Sequence, residues 1–121
     1  MNETSEERKH RYLVRDLMKD PNEILDHTGG HNMALMHAAL GIAGEAGEVV
    51  DLIKKITING RPTDMADIME ELGDLEFYLS MLRSQLHIDR QVVLQMNIEK
   101  LRKRYPNGYS DQAALRREDL G

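Results

Sequence analysis

An all-α protein is what this sequence predicts, and three observations carry that prediction. Strong helix formers (Leu, Met, Ala, Glu, Lys and Arg) are abundant, against three prolines, one phenylalanine and no tryptophan. Runs of β-branched residues, the mark of strands, are missing. Apolar residues recur at three- and four-residue steps, the spacing that gathers them on one face of a helix. At 121 residues, the chain suits one domain over 1–121 with a peripheral tail at 109–121, large enough to bury a core without metal or disulfide staples.

The first helix is expected at about residues 3–19, with Leu13, Leu17 and Met18 inward, and stops at Asp20-Pro21 because the residue before a proline is driven out of helical conformation. Asp26-His27-Thr28-Gly29-Gly30 reads as a loop from its turn residues. A second helix, about 31–56, ends before the breaker Asn59-Gly60-Arg61-Pro62. Thr63 is the expected N-cap of the third helix, about 64–86, since its hydroxyl can accept from an orphan amide of the first turn. Asp89 plays that part for the fourth, about 90–104, which stops at Pro106-Asn107-Gly108. Beyond it a short helix around 112–117 fits the pattern, its charge making for weak packing.

On the third helix Ile68, Leu72, Leu75, Leu79, Leu82 and Leu86 alternate four- and three-residue steps and form one seam that must face other helices. The second helix offers a broad face of small apolar residues, among them Ala38, Ala39, Ile42, Ala43, Ala46 and Val49. Gly41, Gly44 and Gly47 lie nearby, each costing about 1 kcal/mol against alanine inside a helix, so close packing or function must compensate. The expectation is an antiparallel four-helix bundle. Eight methionines read as adaptable core filling, and His10, His27, His31 and His87 as loop or helix-end residues.

Sixteen basic residues against twenty-one acidic ones leave a net charge of −5, which argues against a nucleic-acid coat held by charge. Cysteine is absent, so thiolate metal sites and a cysteine nucleophile are excluded. The longest uncharged apolar stretch, residues 33–44, falls short of the ~20 residues of a membrane span, and residues 1–21 are too charged for a signal peptide. A soluble cytoplasmic protein, with no membrane or nucleic-acid partner, is the expectation.

The acidic residues then form a pattern. Glu45 and Glu48 are three apart on the second helix, as are Glu71 and Asp74 on the third, and that separation places side chains about 60° apart around a helix, within reach of one ion. Glu71, Asp74 and Tyr78 share a flank beside the leucine seam, where a cleft between helices would open. Two such helices packed antiparallel would converge four carboxylates, and four oxygen donors suit Mg²⁺ or Mn²⁺. A solvated acidic surface would show the same spacing, as Asp51, Asp67 and Glu70 illustrate. Ideal helix angles put Glu45 at the edge of the apolar face and turn Glu48 toward solvent. On the fourth helix Asn97, Lys100 and Arg104 share a face that would suit a phosphate chain or be an ordinary basic surface, and Lys54 and Lys55 invite the same two readings.

Gly44-Glu45-Ala46-Gly47-Glu48-Val49-Val50-Asp51, followed by Lys54-Lys55 and by Glu70-Glu71-Leu72-Gly73-Asp74 with Tyr78, resembles the ExxE and ExxD signature of the MazG-like all-α nucleoside triphosphate pyrophosphohydrolases. The segment Met96-Asn97-Ile98-Glu99-Lys100-Leu101-Arg102-Lys103-Arg104-Tyr105-Pro106 is similar to the one that closes this domain in bacterial and phage members. The resemblance covers about residues 31–110. It implies a bundle working as a homodimer or a dimer of dimers, with Mg²⁺ (Mn²⁺ as the alternative) on Glu45, Glu48, Glu71 and Asp74. It further implies hydrolysis of a nucleoside triphosphate between its α and β phosphates, and within the four carboxylates Glu48 is the expected holder of the attacking water and hence the base. Lys55, Asn97, Lys100 and Arg104 are the expected phosphate-binding residues, and His37 and Tyr78 line the nucleotide pocket in this reading. Phe77 stands where such enzymes commonly carry tryptophan. The competing expectation is a non-catalytic helical dimer whose acidic cluster binds a cation or a partner.

Overall fold

The computed structural model describes residues 2–120. Among them the order is α1 (Ser5–Leu17), α2 (Pro21–Asp26), α3 (Gly30–Thr57), α4 (Met65–Gln85), α5 (Arg90–Arg104), α6 (Asp111–Arg116) and a closing 3₁₀ turn at Glu118–Leu120. No strand occurs among the described residues, only an isolated bridge between Pro106 and Gly108. The all-α expectation holds. The chain divides into two units, Met1–Ala34 and Leu35–Gly121.

In the first unit, α1 starts from a capping box. The Thr4 hydroxyl accepts from the Glu7 amide at 3.1 Å while the Thr4 amide donates to the Glu7 carboxylate at 2.7 Å, satisfying two donors that have no partner inside the helix. Glu3 accepts both forks of the Arg11 guanidinium, at 2.8 and 3.0 Å. α1 ends at Leu17, with Met18 already extended at ψ 136°, short of the expected stop at Asp20-Pro21, and Pro21 instead begins α2, a helix absent from the sequence expectation. Asp20 caps that short helix by accepting from Asn22, and proline at the first helical position gives up an amide that would have been unpaired there. His10 lies in the interior of α1, not at a helix end.

The second unit carries the long helices. The cap of α4 is Asp64, not Thr63: its carboxylate accepts from Ala66 at 3.1 Å, so the helix begins one residue later than expected. Asp89 caps α5 as expected, accepting from Gln91 at 2.8 Å. Contacts between α3 and α4 fix their direction. His37 and Gly41 meet Tyr78, while Glu45 meets Asp74 and Glu71, so rising numbers on one helix pair with falling numbers on the other: the two run antiparallel.

Coverage of the apolar faces is partial. Ala38 and Ala113 are the buried apolar residues of the described chain. Along the leucine seam Ile68, Leu75, Leu79 and Leu82 are half-buried, whereas Leu72 and Leu86 are exposed. Leu40, Val50, Met69 and Phe77 are exposed too.

The tail departs from its expected weak packing. Ala113 of α6 is buried at 3% exposure, Ser110 caps the helix, and Arg117 turns left-handed at φ 52°, sending the 3₁₀ turn back against α5. A non-glycine residue in that conformation costs roughly 1–2 kcal/mol, so contacts made by the returning segment must offset it. By length and composition α3 could cross a membrane. It also carries Glu45 and Glu48, and an apolar helix of this kind does not mark a membrane protein.

Candidate metal and phosphate site

Three carboxylates converge where α3 and α4 face each other. One oxygen from each of Glu45, Glu71 and Asp74 lies within 4.8 Å of the others. Glu45 and Glu71 are half-buried and Asp74 is exposed. The convergence follows from local structure: i, i+3 spacing on α4 puts Glu71 and Asp74 on one flank, and the antiparallel crossing brings Glu45 opposite them.

Crowding leaves an electrostatic mark. The carboxyl of Glu71 is held above its ordinary value, first by burial, then by the negative charges of Glu45, Glu48 and Asp74, and last by a hydrogen bond with Glu45. Acid groups pressed together in this way favour protonation or a cation between them. The donor set fits a hard divalent ion: oxygens around six-coordinate Mg²⁺ stand about 3–4 Å apart, which small side-chain adjustments reach from this arrangement. Glu48 is exposed and does not join the trio, although its charge reaches Glu71.

Aromatic residues wall the acidic site. A groove of about 350 Å³ is lined by Glu45, Asp74, Phe77 and Tyr78. The Tyr78 ring stands edge-on to His37 at 5.9 Å and to Phe77 at 5.1 Å. Tyr78 also explains one of the three interior glycines of α3, Gly41, Gly44 and Gly47. A Cβ on Gly41 would overlap the Tyr78 ring, whereas nothing lies within 4 Å of the corresponding position on Gly44 or Gly47.

The expected phosphate-binding residues lie apart from that groove. Asn97 and Lys100 are exposed on α5 and line a second groove of about 570 Å³ together with Arg117 and Asp119. Arg104 is engaged: its Nε and Nη2 donate to the two Asp119 carboxylate oxygens at 2.9 and 3.1 Å. Arg117 donates to the same two oxygens at 3.3 Å each, and the paired guanidiniums hold the Asp119 carboxyl far below the usual carboxylate range. Lys55 forms an ion pair with Asp51 one turn back, at 3.1 Å. Sequence reasoning missed Asp119 and Arg117, because a pairing of Arg104 with a residue fifteen positions on depends on the reversal at Arg117.

Comparison with known proteins agrees with the resemblance. The sequence profile described as "MazG nucleotide pyrophosphohydrolase domain" matches residues 35–109. The gene 37 protein of Mycobacterium phage L5 is 35% identical over 80 residues, covering 61% of this chain and 68% of the phage protein. No solved structure matches the chain.

Proposed function

Because the chain belongs to the MazG nucleotide pyrophosphohydrolase domain family, we propose that it is a Mg²⁺-dependent enzyme cleaving nucleoside triphosphates between the α and β phosphates, to monophosphate and pyrophosphate. The observation that carries this reading is the convergence of Glu45, Glu71 and Asp74, from two helices, within 4.8 Å. A surface acidic patch has no reason to bring carboxylates from two helices together against their own repulsion. A cation-dependent site does.

When bound, Mg²⁺ supplies the positive charge that lets these carboxylates coexist with a polyphosphate and that stabilises charge in an in-line displacement. In this reading Glu45, Glu71 and Asp74 are its ligands, and Glu48 is the fourth, able to swing in from its exposed position. Glu48 is also the proposed base. Solvent reaches it, so its carboxylate can hold a water and take its proton as that water attacks. Tyr78 and His37, edge to face beside the carboxylates, offer the flat apolar surfaces on which a base could rest. Asn97, Lys100, Arg104 and Lys55 are the proposed phosphate-binding groups. Lys100 forms no ion pair among the described residues, whereas Lys55 must leave Asp51 and Arg104 must leave Asp119 to serve.

The acidic groove contains none of Asn97, Lys100 and Arg104, and the leucine seam is only half covered. Both facts favour a homodimer or a dimer of dimers, in which a second copy covers the apolar faces and α5 of one protomer completes the site of its partner. The test is pyrophosphate release over a panel of canonical, deoxy and modified nucleoside triphosphates, with and without Mg²⁺, alongside molar mass by light scattering. Magnesium-dependent release from at least one nucleotide is expected. Absence of release from every one would leave the non-catalytic dimer.

A further inference from the structure

The C-terminal turn places an anion where the proposed phosphate-binding residues are. Asp119 is the most enclosed carboxylate among the ion pairs of the described residues, with a side chain 3% exposed. Both of its oxygens accept from Arg104 and from Arg117. A planar anion whose oxygens are each shared between two guanidiniums has the donor pattern that a phosphate oxygen pair would have. The groove beside it carries Asn97 and Lys100, with Lys100 free of any ion pair among the described residues, so further donors wait next to the occupied ones.

The attachment of this turn is local. Among the described residues its backbone is tied by the hydrogen bond from the Leu120 amide to the Arg117 carbonyl at 2.9 Å, after the left-handed step at Arg117. Among the described residues the Glu118 carboxylate pairs with exposed Arg116, at 3.4 Å. A segment whose side-chain hydrogen bonds to α5 run through one carboxylate can leave when a better anion takes its place.

We propose that the 3₁₀ turn Glu118–Leu120 is an autoinhibitory latch, in which Asp119 occupies Arg104 and Arg117 as a stand-in for polyphosphate and is displaced when the polyphosphate chain enters. This rests on the proposed phosphate role of the α5 residues, and adds Arg117 to them as a contributor from outside the bundle helices. Closure lowers apparent affinity by the fraction of time the turn is open.

The test uses the full chain and inorganic tripolyphosphate in metal-free buffer, so that the acidic cluster contributes no attraction. D119N should bind tripolyphosphate about fivefold more tightly than the parent, or better, as the closed fraction is removed. In the parent protein, which requires no variant to fold, saturating tripolyphosphate should speed hydrogen exchange at the Leu120 amide. Equal or weaker binding by a folded D119N, or a Leu120 amide whose exchange does not accelerate, overturns the latch. Pyrophosphate release measured on the same samples separates the two claims. Hydrolysis without the binding gain removes the latch and leaves the enzyme, whereas the binding gain without hydrolysis by either protein keeps the latch and removes the proposed activity.

Discussion

Gly41→Ala tests the helix crossing on which the acidic site depends. In a helix interior this change ordinarily stabilises by about 1 kcal/mol, because alanine loses less backbone entropy than glycine. Here the new methyl would overlap Cγ, Cδ1 and Cε1 of Tyr78, the root and one side of the ring, which cannot withdraw as the tip of a flexible side chain can. Overpacking of this sort costs about 1–3 kcal/mol, so the net effect runs from near zero to about 2 kcal/mol of destabilisation. Gly44→Ala supplies the internal reference, since nothing lies within 4 Å of its Cβ position and the ordinary gain should appear. At about 4 °C per kcal/mol, Gly41→Ala should melt some 4–12 °C below Gly44→Ala when helix content is followed by circular dichroism. Pyrophosphate release should fall as well, because Tyr78 walls the groove that holds Glu45 and Asp74. If Gly41→Ala melts at or above Gly44→Ala, the close approach of α3 to α4 is refuted. A Gly44→Ala that destabilises instead would place its face against another copy of the chain.

The remaining predictions concern the caps, the charges and the chemistry. Asp64→Ala should cost about 1 kcal/mol in urea unfolding while Thr63→Ala stays near neutral, and the reverse order would restore Thr63 as the cap of α4. Glu71 has a folded-state pKa raised above 4.5, so it binds its proton more tightly in the folded chain than in the unfolded one. Its stabilising contribution is therefore complete below pH 4.5 and is lost as pH rises through the raised value. Metal-free protein should lose melting temperature across that window, Glu71→Gln should flatten the loss, and an identical profile for the two would show that the crowding has no energetic consequence. Glu48→Ala and Asp74→Ala should each abolish turnover while far-ultraviolet circular dichroism stays helical; turnover retained in either would reject the role given to that residue.

Much of the arrangement was legible in the sequence, for physical reasons that differ between elements. Periodicity located α3, α4 and α5 because a helix that buries one face must repeat its apolar residues near every 3.6 positions. The same geometry placed Glu45 at the edge of the apolar face and Glu48 outward, and in the structure Glu45 is half-buried in the cluster while Glu48 is exposed. Asp64 displaced Thr63 as the cap because both are good capping residues one position apart, and only backbone geometry decides which faces the first turn. The sequence marks Pro21 as a stop, yet α1 ends earlier, at Leu17, and Pro21 starts α2, since proline serves either purpose and six residues show no periodicity of their own. The pairing of Arg104 with Asp119 was hidden for another reason. It depends on a left-handed arginine, and a sequence marks that conformation clearly only when glycine or asparagine occupies it.

The most direct test of the account is Mn²⁺ binding followed by electron paramagnetic resonance, comparing the parent chain with Glu71→Gln and Asp74→Asn. The parent should take up at least one ion per chain, and each variant should bind it at least roughly tenfold more weakly, since removing even an outer partner of a metal site costs 10–100-fold. Equal affinity in all three proteins would mean that these carboxylates hold no ion, and the hydrolase reading would go with them.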